Sequence, residues 1–310
     1  MYYLLTNFKP FIKLAQMKLI ISFALVFLIS SSLFASEKLS GVRGWFISAP
    51  EALYLHGQGA VFVDARDGIK VSTFSKSVPL GWQEISQKEF PNQGNLVHTS
   101  EAKELLRKKG LDANKIVLVF GDPTGGWGEE GRIVWSLRTL GFSKAFIVDG
   151  GINALLKASN SPVPNRPEIF SKINVSVSEN KNWSADSKLI QSELSDKKFA
   201  FIDTREEREF LGQTPYGESR GGHLPGAKWI YYKQFLDKDG YLLSESKIVS
   251  KLYELGISKD KTVISYCTGG VRSGWMTSVL VSLGYNAKNY AGSMWEWSSK
   301  GDQNHPLVTR

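Results

Sequence analysis

The chain has 310 residues, 42 % of them hydrophobic, and a formal net charge of +8. That is ample apolar material for a core, over a length that suits two domains better than one. A single cysteine excludes an intramolecular disulfide framework, and no basic run is dense enough for a nucleic-acid groove.

Taken in chain order, the first feature is "MKLIISFALVFLISSSLFASEK", which starts at Met17. A lysine, an apolar centre from Leu19 to Ile29 and a small residue before polar chain read as a secretory signal over 1–35, cleaved after Ala35, with Met17 as a possible initiator. The alternative is an uncleaved anchor, but the uncharged run from Leu19 to Ser36 is short for a span of about 20 residues. Cleavage would remove Lys9, Lys13 and Lys18 and no acid, taking the charge from +8 to +5. The expected location is periplasmic or otherwise exported, with no stable membrane association after cleavage. A free thiol there is exposed to oxidation.

Two similar stretches follow. "GAVFVDARDG" (59–68) matches "KFAFIDTREE" (198–207), each an apolar run ending in Asp-x-Arg, as Asp64/Arg66 and Asp203/Arg205. "KKGLDANKIVLVFGD" matches "YELGISKDKTVISYCT", which sets Gly121 against Cys267. "RIVWSLRTLGFSKAFIVDGG" (132–151) and "GWMTSVLVSLGYNAKNYAGS" (274–293) complete the two copies. The period of about 140 residues means a duplicated domain and not a solenoid. Within each copy, short apolar runs alternate with amphipathic stretches such as "SEAKELLRKKGL", so the expected fold class is α/β: two similar domains, each a mostly parallel sheet flanked by helices. Ser100 and Ser244 stand as candidate N-caps, and Gly110 and Gly256 where those helices should stop. "KASNSPVPNRPEIFSKINVS" has three prolines and no helical period, which gives domains over 40–160 and 179–310 with a linker over 161–178.

The lone cysteine, Cys267, ends the strand "KTVISY", and a helix starts within "RSGWMTSVLVSLGY". That is the crevice where open α/β sheets place ligands. Between them, Thr268, Gly269, Gly270 and Val271 allow a tight turn whose N–H groups converge on one point, at a helix start that favours negative charge. The anion there would be the sulfur itself. Arg272 supplies a fixed positive charge, so Cys267 is expected to be a thiolate nucleophile at neutral pH.

The duplicated plan, Asp-x-Arg after the first strand, "RGGHLPGA" (220–227), "CTGGVRS" and "AGSMWEW" (291–297) together resemble a tandem-domain rhodanese, a sulfurtransferase. The resemblance covers nearly all of 40–310. It implies that Cys267 takes a sulfane sulfur from a small donor (thiosulfate, mercaptopyruvate or a persulfide), becomes a persulfide, and passes the sulfur to cyanide or a thiol. It also implies that the amides of Thr268, Gly269, Gly270, Val271, Arg272 and Ser273 cradle that sulfur. The first copy, with Gly121 and Asp122 in "FGDPTGGWGEEG", would be catalytically silent, bracing the second copy and walling its pocket. Residues after the cysteine match neither the basic pattern of thiosulfate-using members nor the Cys-Gly-Ser/Thr-Gly of mercaptopyruvate-using ones. Glu209 stands where mitochondrial two-domain enzymes place a substrate-binding arginine. Of the nearby Arg205, Arg208 and Arg220, Arg208 is taken as the substrate-binding candidate.

Supporting roles are expected for Asp203 and Arg205 as an internal ion pair tying the strand end to "GGHLPGA", for His223 as a turn residue bonded to a backbone carbonyl, and for Trp295 as pocket wall. The four histidines are scattered without ligand spacing, so neither metal nor cofactor is expected. Two rival functions stand beside sulfur transfer by turnover. A cysteine phosphatase needs Cys-x5-Arg, whereas here the sixth position is Ser273 and the arginine comes one residue early. A persulfide carrier, loaded by a sulfur-relay protein, would use the same chemistry at Cys267.

Overall fold

The computed structural model describes residues 42–66, 68, 74, 76–159 and 177–309. The expected signal at 1–35 and the linker as far as residue 176 lie outside them. Both sheets belong to one compact unit, Arg43–Arg310.

The innermost strands are short, largely buried apolar runs, the pattern that suits parallel pairing under helices. In the first half these are β1 (Val42–Arg43), β2 (Phe46–Ile47), β3 (Val61–Asp64), β4 (Ser77–Pro79), β5 (Val117–Phe120) and β6 (Ala145–Val148), in the spatial order β1-β2-β6-β5-β3-β4. In the second they are β7 (Ser184–Ala185), β8 (Phe199–Asp203), β9 (Lys228–Trp229), β10 (Thr262–Tyr266) and β11 (Asn286–Tyr290), in the order β7-β11-β10-β8-β9. Five strands of the first sheet thus repeat the order of the second. The pairs β2–β6, β6–β5, β5–β3 and β3–β4 are parallel, and so are their four counterparts. The duplication legible in the sequence is a duplication of topology.

Helix ends follow local chemistry. Ser244 takes the N-cap position of the helix Glu245–Glu254 without a side-chain bond to it, whereas in the counterpart Thr99–Lys108 that position falls to His98, which leaves Ser100 inside the first turn. The cap falls earlier because the first helical bond runs from Ala102 N to His98 O, at 2.9 Å. Gly110 and Gly256 follow these helices in the left-handed region, at φ +69° and +74°, which glycine alone enters without strain.

The two halves meet through the helices that follow the equivalent loops, Glu129–Thr139 and Val271–Ser282, both almost wholly buried. Gly131 lies against Trp275 and Gly274 against Arg132, so closely that a side chain at Gly131 would overlap the indole. Small residues at the crossing let the backbones approach, and one hydrophobic core runs from Trp45 through Trp275 to Ala291, across both halves. A second cluster, with Tyr266, Met294 and Trp297, fills the other face of the second sheet. Burial of this kind stabilises by roughly 25 cal/mol per Å² of apolar surface, so the two halves share most of what holds them together.

Candidate active site

Strand β10 carries its buried run to Tyr266 and releases the chain at Cys267, 1 % exposed. The turn is held from outside and from within. Met294 N donates to Cys267 O and Trp295 N to Thr268 O, each at 3.0 Å, while Cys267 N donates to Ser293 Oγ at 3.0 Å. Ser293 adopts φ +48°, unusual for a residue with a Cβ; such strain persists where surrounding bonds impose it. Gly270 turns the chain at φ +79°, and a Cβ on Gly269 would overlap the Trp295 ring. Both glycines are therefore required by geometry.

Around the sulfur, Gly270 N donates to Cys267 Sγ at 3.1 Å and Ser273 Oγ at 3.6 Å. Burial by itself raises the pKa of the thiol. The charge of Arg272, with hydrogen bonds from the Ser273 amide and hydroxyl and the Gly269 amide, more than reverses this and sets it below the ordinary value of 9.0. A lowered thiol pKa means more thiolate, the nucleophilic form. Thr268 and Val271 line the cavity wall, and Thr268 Oγ1 donates to Glu209 Oε1 at 2.7 Å.

Arg272 is the site's principal cation, and its partner was not legible as one. Its Nη1 and Nη2 donate to Glu209 Oε2 and Oε1 at 2.6 and 2.8 Å, and Nη2 donates to Thr268 Oγ1 at 2.7 Å. The guanidinium also lies over Trp127 and Tyr216, 5.1 and 5.8 Å from the ring centres. Burial opposes the Glu209 charge, but Arg272, Thr268 and Arg205 hold its pKa below the usual carboxylate range. The departure noted at Glu209 thus has a structural consequence: where an arginine would offer charge to a substrate, a carboxylate consumes it.

The other expected residues fall into place around this centre or away from it. Asp203 and Arg205 form a fully buried bidentate pair, and Arg205 Nη2 donates to Gly222 O at 2.7 Å, tying β8 to the Gly-Gly-His turn. His223 Nδ1 lies 2.9 Å from Phe210 O, and its ring stacks on that of Phe210. Trp295 forms pocket wall and donates Nε1 to Tyr216 O at 2.9 Å. Arg208, taken as the substrate-binding arginine, lies outside the cavity. Half-exposed, it pairs with Glu206 at 2.7 Å and reaches only the Tyr216 hydroxyl, at 3.2 Å, so its charge is spent at the surface. Arg220 is likewise engaged, on Asp302 and on the carbonyls of Trp297, Ser298, Lys300 and His305.

Sequence reasoning missed residues that reach the loop from elsewhere. Asn289 accepts from Ser273 Oγ at 2.7 Å and donates to Gly270 O at 3.2 Å. From the first half, Arg132 is fully buried and donates to Gly270 O, Gly94 O and Ser86 Oγ at 3.1, 2.7 and 3.0 Å, with no ion pair among the described residues. Burial pushes its pKa down to about 10, and the Cys267 sulfur is the charge that opposes this. The cavity above Cys267, about 220 Å³, is lined from the first half by Trp82, Trp127 and Glu129, and from the second by Tyr216, Val271 and Trp295 among others. No local pattern marks Trp82, Trp127, Glu129 or Arg132; only the packing of the halves brings them to the loop.

The Rhodanese-like domain family matches residues 186–300. A thiosulfate sulfurtransferase from Pseudomonas aeruginosa is 30 % identical over 220 residues, covering 70 % of this chain and 77 % of its own. A sulfur carrier protein, TtuD, from Thermus thermophilus is 26 % identical over 234 residues, covering 71 % and 81 %. Among solved structures, the Tum1 protein from Saccharomyces cerevisiae superposes with a TM-score of 0.73 at 19 % identity, over 86 % of this chain and 98 % of that one, and shares the fold. A cysteine held at a strand end by inward amides, on a duplicated parallel sheet, is thus found in a chain that belongs to the rhodanese family and is a sulfurtransferase.

Proposed function

We propose that Cys267 is the sulfur carrier of this enzyme, alternating between thiolate and persulfide. The thiolate attacks the transferable sulfur of a small donor; the bond that holds this sulfur breaks (S–S in thiosulfate or a persulfide, C–S in mercaptopyruvate) and its electron pair leaves with the departing group. An acceptor, cyanide or a thiol, then attacks the outer persulfide sulfur and returns Cys267 to thiolate. The observation that carries this reading is the Gly270 amide aimed at Sγ from 3.1 Å, on a sulfur whose pKa lies below the ordinary thiol value. Donors fixed in place before reaction stabilise charge as it moves between sulfurs. Thr268, Gly269, Val271 and Ser273 complete the cradle, Arg272 stabilises the anion, and Asp203, Arg205 and His223 keep the neighbouring turn in place.

The test is to incubate the protein with thiosulfate, mercaptopyruvate or an organic persulfide and weigh it, then add cyanide and measure thiocyanate. One extra sulfur atom on the intact chain, lost on adding cyanide and absent from Cys267→Ser, is the expected result. A variant without the thiol that still forms thiocyanate would overturn it. The sulfur carrier name of the Thermus relative favours one second reading, a relay step fed by a protein partner. Loading by a persulfidated protein, with no turnover of any small donor, would select it. Export of the mature chain, expected from residues 17–35, belongs to the same proposal, and secretion of a reporter fused after residue 36 checks it.

A further inference from the structure

The walls of the cavity set what can approach the sulfur. Among the described residues lining it, Arg272 is the sole cation, and both of its terminal nitrogens bind Glu209. Glu129 adds a carboxylate to the lining, with Oε2 accepting from Trp127 N at 2.8 Å. The remaining surface is mainly aromatic. Trp82 and Trp295 lie nearly parallel, with ring centres 6.5 Å apart and planes inclined by 27°, and Trp127 meets Tyr216 edge-on at 5.6 Å. Such surfaces favour flat apolar groups. A dianion meets the opposite conditions: a guanidinium already paired with Glu209, a second carboxylate and the thiolate it must join, offset by the buried Arg132 cation behind Gly270. Attack on thiosulfate would gather three negative charges, two from the donor and one from a sulfur that is itself only 1 % exposed.

We infer that the preferred sulfur donor is an organic persulfide whose carbon group is flat, apolar and uncharged, seated between Trp82, Trp127 and Trp295, and not a dianion such as thiosulfate. This rests on the sulfur-transfer reading above and names the substrate class of that site. The step balances as follows. The Cys267 thiolate attacks the terminal sulfur of R–S–SH, the S–S bond of the donor breaks, and its electron pair departs with R–S⁻. Cys267–S–SH is left behind, so one negative charge enters and one leaves. No oxidant or reductant is required.

The experiment compares phenylmethyl persulfide with its para-carboxylate analogue, whose reacting sulfurs are alike and whose ends differ by one charge, and adds thiosulfate as a third donor. Each rate is divided by that of the same donor with a free thiol, and loading of Cys267 is read by mass. The neutral donor should exceed the carboxylate in kcat/KM by about tenfold or more, the cost of bringing an unmatched charge into such a pocket, and should exceed thiosulfate further. Trp82→Ala should lower kcat/KM for the neutral donor and narrow the ratio. Glu209→Gln, which frees Arg272, should raise kcat/KM for the carboxylate donor, a gain that misfolding does not produce. Equal rates for the two aryl donors, or a faster thiosulfate, would overturn the donor class while leaving persulfide chemistry standing. If no donor loads Cys267, the sulfur-transfer reading itself fails.

Discussion

The turn after β10 and the turn after β5 leave equivalent strands at equivalent points, yet they hold different things. In the second half, amides of Gly269, Gly270 and Ser273 face the Cys267 sulfur. In the first half the turn closes on itself: Thr124 N, Thr124 Oγ1 and Gly125 N all donate to Asp122 Oδ1 at 3.1, 2.8 and 2.9 Å. The position of the missing side chain on Gly121 is taken by the Glu130 carboxyl, whose oxygen a Cβ there would strike. Burial, with the nearby charge of Glu129, pushes Glu130 up to about 8, so a largely neutral acid sits where its counterpart has a thiol whose pKa is lowered. The same turn of the same fold is thus built twice around different occupants, a sulfur in one half and a carboxyl in the other. The first half also contributes to the site, through Trp82 and Trp127 in the cavity wall and Arg132 behind Gly270.

The largest expected effect removes the occupant. Cys267→Ser should lower cyanide-dependent thiocyanate formation by about a thousandfold or more with an unchanged melting temperature, since the hydroxyl is smaller and the loop is held by Met294, Trp295 and Ser293. A melting temperature that collapses with activity would recast the cysteine as a packing residue.

Next come the two Asp-x-Arg pairs. Asp203 and Arg205 are both fully buried, whereas Arg66, the partner of Asp64, keeps 21 % of its side chain exposed. Asp203→Ala leaves an uncompensated buried cation and should cost about 3–5 kcal/mol. Asp64→Ala, where water reaches the cation, should cost less, about 1–3 kcal/mol. Urea denaturation of both variants checks the order, and equal losses would contradict it.

A third test concerns the acid that replaces sulfur. The pKa of Glu130 in the folded chain lies above its ordinary 4.5, so between 4.5 and about 8 the folded state binds more protons than the unfolded one. Stability from this group is thus present at low pH and lost as pH rises towards 8, by a few kcal/mol at most, each unit being worth about 1.4 kcal/mol. Glu130→Gln should flatten the fall in melting temperature between pH 5 and 8.5. A variant with the same slope would show that the carboxyl is not buried as a neutral group.

The smallest effect lies between the halves. Arg132→Gln should cost about 1–3 kcal/mol in stability, because Gly270 O and Gly94 O lose a charged donor. It should also raise the pH midpoint of Cys267 alkylation by about one unit or less. A shift in stability without a shift in midpoint would confine Arg132 to packing.

Much of this was legible along the chain. Alternating apolar and amphipathic runs gave the α/β class, and the Asp-x-Arg and Leu-Gly-aromatic repeats gave the duplication, because strand and helix periodicity are local properties. Cys267 and its glycines stood out for the same reason: a turn that must bring amides to one atom needs consecutive residues without bulk. What stayed hidden depends on distance. Glu209 lies 63 residues from Arg272, and Arg132 lies 138 from Gly270, so nothing in either segment announces the other. Arg208 was chosen by proximity in sequence, but a short helix, Glu207–Phe210, turns it to the surface while presenting Glu209 inward. Alternate faces of one turn reversed the assignment. The cap at Ser100 failed on a smaller scale, since neighbouring polar residues at a helix start compete and the backbone bond to His98 decided.

Sulfur transfer turns on the charge state of one sulfur, and the chain has one cysteine, so alkylation reports that atom alone. The decisive measurement is the pH dependence of iodoacetamide labelling on the native and the urea-unfolded protein. The expected native midpoint lies below 9.0 and moves upward on unfolding and upward in Arg272→Gln. A native midpoint at or above the unfolded one would mean that the loop gives the sulfur anion no shelter.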